Sequence, residues 1–207
     1  MGSEMGMYRF KILCFFNAGA LLITGNLLFG CAGWALAADL PSFVGDREAF
    51  VPAPHSLTPQ APLAPEVAFA DADGNPKTFA DFRGKLTVVN FWATWCAPCV
   101  AEMQSLDRLS ALMHQDIVVV ALSQDRGGKT AVAPFYDRQN IKHLPIYLDP
   151  RGVTRRALGI GALPTTVIYD HRGKEVGRLL GTAAWNSPSA IAFLKEIALR
   201  SVTAHRP

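Results

Sequence analysis

Two cysteines, Cys96 and Cys99, have the type and spacing that disulfide chemistry requires. Only a thiolate attacks a disulfide, so a redox centre needs one accessible cysteine with a lowered pKa and a second cysteine that resolves the mixed disulfide. A disulfide across so short a loop restricts little chain entropy, which argues against a purely structural bond. Redox chemistry and metal binding are the two uses that remain for the pair.

A metal site would need further ligands, because half of a zinc site has the same cysteine spacing. The chain has no second pair of this kind, since Cys14 and Cys31 lie in an apolar N-terminal segment. Its five histidines show no ligand-like spacing: His55, His114, His143, His171 and His205. The pattern therefore favours redox chemistry, with no metal and no cofactor beyond the disulfide itself.

The residues around the cysteines predict a strand that ends at them and a helix that begins at them. Residues 86–92 are almost continuously apolar and rich in branched and aromatic side chains, which is typical of a strand covered on both faces. Apolar residues then recur at three-residue steps from Cys99, which predicts a helix of about four turns. At the start of that helix, unpaired N–H groups and the helix dipole favour a thiolate. Cys96 is thus predicted to attack the disulfide of a partner. The more buried Cys99 is predicted to resolve the mixed disulfide that forms.

Strands and helices alternate through the rest of the chain, which predicts a sheet with helices on both faces. A hairpin at 165–169 and 175–180 would close the sheet. The other predicted strands are 67–73, 117–122 and 146–148, and the other predicted helices are 130–140, 153–158 and 188–200.

The first 38 residues resemble an export signal or a membrane anchor. Arg9 and Lys11 precede residues 12–38, which contain no charged side chain. A span needs about 20 apolar residues, whereas the core of a signal peptide has roughly 7–15, so we favour a retained anchor. Cleavage after Ala35-Leu36-Ala37 and lipidation at Cys31 are the alternatives. The preceding basic residues place the N-terminus in the cytoplasm and the remainder outside, in the periplasm.

Residues 39–65 are rich in proline and lack periodicity, so we expect a spacer between the anchor and a single domain at 66–207. The formal net charge of +3 is spread along the chain and predicts no nucleic-acid partner. We expect the protein to be a monomer.

Residues 90–103 closely resemble the active-site stretch of the TlpA/ResA/CcmG group of thioredoxin-like proteins. The resemblance extends through 81–85 and 159–166 and covers about residues 65–200. It implies a thioredoxin-like α/β fold with a central mixed sheet flanked by helices, and thiol:disulfide oxidoreductase activity outside the cytoplasm. In this group the clients are exported proteins with cysteines, mostly in cytochrome c or cytochrome oxidase assembly. A membrane protein of the DsbD/CcdA kind supplies the electrons.

The resemblance also implies a client-binding surface around the cysteines. Leu163, Pro164 and Thr165 match a loop whose cis proline faces the pair, presents the backbone of Leu163 to an incoming peptide and keeps metal from the thiols. Trp95 is expected to line the exposed part of this surface. Trp92 fits the surface and the core equally well.

Glu102 matches a glutamate that tunes the thiols in this group. A carboxylate near thiols raises their pKa, and burial raises its own pKa until it can carry a proton. A first-turn glutamate that interacts only with the helix dipole is the alternative. Asn90 occupies a position where thioredoxin has an aspartate, so that proton acceptor is absent. Gln104 stands at a position where proteins of this group often have proline. Because proline bends a helix, its absence predicts a straighter helix here.

Two other functions fit parts of the pattern. A copper-binding assembly chaperone would use the cysteine pair with a histidine such as His143, but exported copper donors of similar fold have a longer cysteine spacing. A peroxidase of related fold would need threonine where Ala93 stands. Ala97 and Pro98 lie between the cysteines, without the histidine that strong oxidants place there. The sequence therefore favours a reductase of client disulfides.

Overall fold

The computed structural model describes residues 62–203, with side chains up to residue 200. The predicted anchor at 1–38 and the predicted linker up to residue 61 lie outside the described residues. The strands are β1 Phe69–Asp71, β2 Pro76–Lys77, β3 Leu86–Trp92, β4 Ile117–Ser123, β5 Tyr147–Leu148, β6 Thr165–Tyr169 and β7 Glu175–Leu180. The helices are α1 Ala97–Met113, α2 Lys129–Gln139, α3 Val153–Ala157 and α4 Pro188–Thr203, with a short 3₁₀ helix at Phe79–Phe82.

In this part of the chain the strands form one mixed sheet in the order β2-β1-β5-β4-β3-β6-β7. The strands β3, β4 and β5 run parallel, whereas β6 runs antiparallel to β3 and forms a hairpin with β7. The predicted thioredoxin-like α/β fold, with a mixed sheet and flanking helices, is therefore confirmed.

The first strand is shorter than predicted. Residues 67–73 were expected to be extended, but β1 ends at Asp71. The Asp71 carboxylate accepts hydrogen bonds from the backbone N–H groups of Asp73 and Asn75, both at 2.9 Å. This side chain competes with the sheet for backbone donors and turns the chain.

Residues 62–64 already contact the sheet. Ala64 N–H donates to the carbonyl of Gly173 at 2.8 Å, and Glu175 N–H donates to the carbonyl of Pro62 at 2.9 Å. Both bonds hold residues 62–64 against the turn between β6 and β7. Within residues 62–203, no helix is both long and apolar enough to cross a membrane.

The strand β3 is buried on both faces, as predicted. Val89 and Phe91 pack in one apolar cluster, whereas Val88 and Trp92 pack in the other, beneath α1. Trp92 is fully buried, and its ring centroid lies 5.0 Å from that of Phe135. Trp92 is therefore a core residue. Asn90 falls between Val88 and Trp92 in the alternation, so its side chain points towards α1.

Asp107 fixes α1 to the loop that precedes β5. Its Oδ1 atom accepts hydrogen bonds from three consecutive backbone N–H groups: those of Lys142 at 3.0 Å, His143 at 2.6 Å and Leu144 at 3.1 Å. The carboxylate is buried, so water cannot replace it as the partner of those donors.

We predict that Asp107→Ala lowers the free energy of unfolding by about 3 kcal/mol, because three backbone N–H groups lose a buried, charged acceptor. Urea denaturation followed by circular dichroism would measure the change. Asp116→Ala is the matched control, since Asp116 is exposed, and should change stability by less than about 0.5 kcal/mol. Equal effects of the two substitutions would contradict this account.

Candidate active site

The two cysteines lie at the junction of β3 and α1. Cys96 is the N-cap of α1, Pro98 lies in the first turn, and the Cys96 and Cys99 sulfurs form a disulfide of 2.08 Å. Cys96 retains 7% exposure, whereas Cys99 has none. A client can reach only the first sulfur, so the predicted roles of attacking and resolving cysteine fit the geometry.

The strand β6 brings the loop 163–165 to the same edge of the sheet. Because β6 runs antiparallel to β3, its first residue, Thr165, pairs with Phe91 near the end of β3. The Leu163–Pro164 peptide bond just before it is cis, as the resemblance implied. Pro164 and Thr165 are buried, and Leu163 is half-buried. The Thr165 hydroxyl donates to the carbonyl of Ala162 at 2.8 Å.

Trp95 is 70% exposed beside Cys96, which is unusual for so large an apolar side chain. Its exposure matches the predicted place on the client surface. Contact of a client with Trp95, Leu163, Pro164 and Thr165 remains a prediction.

Asp125 supports the segment that leads into the cysteines. This buried residue follows β4, and its carboxylate accepts hydrogen bonds from Thr94 N–H at 3.0 Å and from the Thr94 hydroxyl at 2.6 Å. The Ser123 hydroxyl donates to the same carboxylate at 2.8 Å. Thr94 lies two residues before Cys96, so Asp125 positions the attacking cysteine from the neighbouring strand. A sequence feature could have indicated this role, namely an acidic residue two positions after a buried strand.

Glu102 is 3% exposed in the second turn of α1. Its Oε1 accepts a hydrogen bond from Asn90 Nδ2 at 2.8 Å, and its Oε2 accepts from Ala183 N–H at 3.1 Å and Trp185 Nε1 at 2.9 Å. All three donors belong to other parts of the chain. The alternative of a first-turn glutamate paired only with the helix dipole is therefore wrong.

Burial raises the pKa of the Glu102 carboxyl, and the hydrogen bonds from Trp185, Asn90 and Ala183 oppose that rise without cancelling it. Asn90 also donates to the Thr166 hydroxyl at 3.0 Å. An asparagine cannot take a proton as an aspartate would, so Glu102 is the group in this network that titrates. Thr166, Ala183 and Trp185 were not singled out from the sequence.

Gln104 lies within one continuous helix, α1, and the straighter course expected from the missing proline remains a prediction. Its side-chain Nε2 donates to the carbonyl of Gln139. This bond fixes α1 to the end of α2 on the turn after Glu102.

Nothing in the described residues favours the copper-chaperone alternative. Residues 62–200 contain no group of three histidine, cysteine or acidic side chains that could hold a metal ion. His143 is bonded through its backbone to Asp107. Asp107 lies 11 residues after Cys96, about 16 Å along the axis of α1.

A cysteine pair that begins a helix, beside a cis proline at one edge of a thioredoxin-like sheet, defines a thiol-disulfide oxidoreductase. The Redoxin family model matches residues 59–192, and the chain belongs to that family, within the TlpA/ResA/CcmG-like group of the thioredoxin superfamily.

Individual relatives agree with this assignment. The chain is 33% identical over 119 residues to the thiol-disulfide oxidoreductase ResA of Geobacillus thermodenitrificans, a match that covers 58% of this chain and 68% of that protein. It is 29% identical over 158 residues to the thioredoxin-like protein YneN of Bacillus subtilis, with 75% and 84% covered. A crystal structure assigned as the thiol:disulfide interchange protein DsbE of Chlorobium tepidum superposes with a TM-score of 0.56 at 26% identity, with 69% and 96% covered.

We predict that Asp125→Ala slows the attack of reduced Cys96 on a disulfide by about tenfold or more, because small displacements of a reacting group have large effects on rate. Stopped-flow kinetics with a disulfide-containing peptide would measure the rate constant. Asp137→Ala, which removes an exposed carboxylate from α2, is the control and should leave the rate unchanged. An unchanged rate in Asp125→Ala would contradict the positioning role.

The raised pKa of Glu102 has a consequence for stability. A carboxyl whose folded pKa exceeds its unfolded value, about 4.3, contributes stability below that value, and the contribution is lost as pH rises through the folded pKa. The free energy of unfolding of the native protein, minus that of Glu102→Gln, should therefore fall as pH rises above about 4. Urea denaturation of the oxidised proteins at several pH values would measure it.

The variant Trp185→Phe serves as a check on this assignment. It removes a hydrogen bond that lowers the Glu102 pKa, so it should move the loss of stability to higher pH. A difference that stays constant or rises with pH would contradict the raised pKa.

Proposed function

We propose that this oxidoreductase works as a reductase of disulfides in exported client proteins, in cytochrome c or cytochrome oxidase biogenesis. The observation that carries the direction is the buried carboxyl of Glu102 on the helix that begins at the cysteines. A strong oxidant of this fold depends on a stabilised thiolate in its reduced form. A carboxylate on that helix, with alanine and proline between the cysteines, disfavours the thiolate and supports the reducing direction.

The proposed reaction transfers two electrons to the client. The Cys96 thiolate attacks one sulfur of the client disulfide, so that a mixed disulfide forms and one client thiolate leaves. Cys99 then loses its proton and attacks the Cys96 sulfur, which releases the second client thiolate and leaves the enzyme oxidised. We assign the proton from Cys99 to Glu102, the titratable group of the buried network. The client meanwhile contacts Trp95 and the loop of Leu163, Pro164 and Thr165.

The enzyme must then regain two electrons. We propose a membrane electron donor of the DsbD/CcdA kind, which the resemblance implies, and retention at the periplasmic face of the cytoplasmic membrane through residues 1–38. The basic residues ahead of that apolar segment support this orientation.

Trapping of clients tests the proposal. Cys99→Ser removes the resolving thiol, so the full-length variant should accumulate mixed disulfides between Cys96 and exported proteins of haem or copper-site assembly. Diagonal gels and mass spectrometry after reductant release would identify the partners. The double variant Cys96→Ser, Cys99→Ser is the matched control and should trap nothing. Capture of no partner, or only of partners confined to the cytoplasm, would contradict the proposal.

A further inference from the structure

At the edge of the sheet where the cysteine pair lies, the exposed charges are mainly positive. The strands β3, β4 and β5 end side by side, with Trp92 paired to Ser123 and Ser123 paired to Leu148. The segments that follow these three strands therefore emerge at one edge, and the first of them contains Cys96. The other two segments and the first turns of the helices that they enter contain five basic residues: Arg126, Lys129, Arg151, Arg155 and Arg156.

The two acidic residues of these segments and first turns are buried. Asp125 is buried beneath Thr94, as described above. Asp149 is also buried, and its carboxylate accepts hydrogen bonds from Val153 N–H at 2.8 Å and Thr154 N–H at 3.0 Å at the start of α3. Neither carboxylate faces an approaching client. Lys129 is paired with Asp73 at 3.5 Å. Of the four arginines, Arg126, Arg151 and Arg156 are exposed and Arg155 is half-buried.

Arg155 and Arg156 converge over Gly152. A Cβ placed on this residue would lie 3.3 Å from Arg156 Nη1 and 3.9 Å from Arg155 Nε. The backbone there has φ +62°, in the left-handed region that favours glycine. Arg156 Nη1 also donates to the carbonyl of Arg151 at 2.6 Å, which holds its guanidinium in place. Two like charges this close repel each other, and an anion between them would relieve that repulsion.

The arginines adjoin the reactive segment through a continuous set of contacts. Gln124 Oε1 lies 3.6 Å from the same Cβ position on Gly152. Gln124 N–H donates to the carbonyl of Trp92 at 2.8 Å, and Asp125 binds Thr94. The positive surface therefore begins where the cysteine segment begins.

We propose that this basic edge, defined as Arg126, Arg151, Arg155 and Arg156, binds acidic side chains that flank the disulfide of the client. The inference rests on the proposed reductase function and names the substrate class within it. Arginine pairs with carboxylates through two parallel hydrogen bonds, and a charged surface beside a reactive group raises the rate of productive encounter by 10-fold to about 1,000-fold. The arginines thereby select which exported disulfides approach Cys96.

The test uses three peptides that share one disulfide ring and differ only in their flanks, which are acidic, neutral or basic. Reduced full-length protein is mixed with each peptide, quenched in acid and analysed by chromatography. At about 10 mM salt, where the screening length is roughly 30 Å, the acidic peptide should react about tenfold faster than the basic one. At about 1 M salt, where it is roughly 3 Å, the rates should converge.

Two double variants with the same change in net charge separate a local effect from a global one. Arg155→Glu, Arg156→Glu should reverse the order of the acidic and basic peptides. Arg108→Glu, Lys195→Glu changes exposed residues in the middle of α1 and α4 and should preserve the order. Arg155→Gln, Arg156→Gln, which removes the charges without reversing them, should abolish the preference.

The possible failures are distinguishable. Reduction of none of the peptides would overturn the proposed function and this inference with it. Reduction of all three at equal rates at low salt would overturn only the inference. An equal loss of preference in the control variant would show that net charge, rather than the basic edge, sets the order. Equal rates together with salt-sensitive binding to phosphatidylglycerol vesicles would assign the arginines to a membrane surface instead.

Discussion

The burial of β3 on both faces is the constraint on which the active site depends. Because this strand packs between two apolar clusters, its end cannot shift without disturbing the core on either side. Cys96 lies four residues after Trp92. At the same edge of the sheet β4 ends and β6 begins. Asp125, two residues after β4, and the cis-proline loop before β6 therefore lie near the cysteines without a long connection. A rigid central strand thus positions groups that come from three parts of the chain.

Glu102 breaks the rule that carboxylates stay at the surface, and the fold supplies specific partners for it. Desolvation of a carboxylate is costly unless hydrogen bonds compensate. Here the compensation comes from Asn90 on β3 and from Ala183 and Trp185 in the segment before α4, so distant parts of the chain converge on one side chain. The carboxyl still keeps a raised pKa. Sites that violate local rules in this way are where function is expected.

The predictable parts of the structure are those set by short-range patterns. The span of β3, the helix that begins at the cysteines and the β6–β7 hairpin followed from runs and periodicities of apolar residues. Pro164 and Glu102 were found only through the family resemblance, since neither residue has a local signal for its conformation or burial. Trp185 was missed because its segment has no periodicity and its indole bonds to a residue 83 positions earlier in the chain. The pairing of Asp107 with residues 142–144 was missed because a contact between distant residues leaves no local pattern.

The most direct test of the reducing direction is the reduction potential of the Cys96/Cys99 couple. The full-length protein would be equilibrated in thiol buffers of known potential and alkylated, and mass spectrometry would quantify the oxidised pair separately from Cys14 and Cys31. A reductase that receives electrons from the membrane should have a potential below about −200 mV, nearer to the −270 mV of thioredoxin. A value near about −120 mV would mean that the protein inserts disulfides, and it would contradict the account.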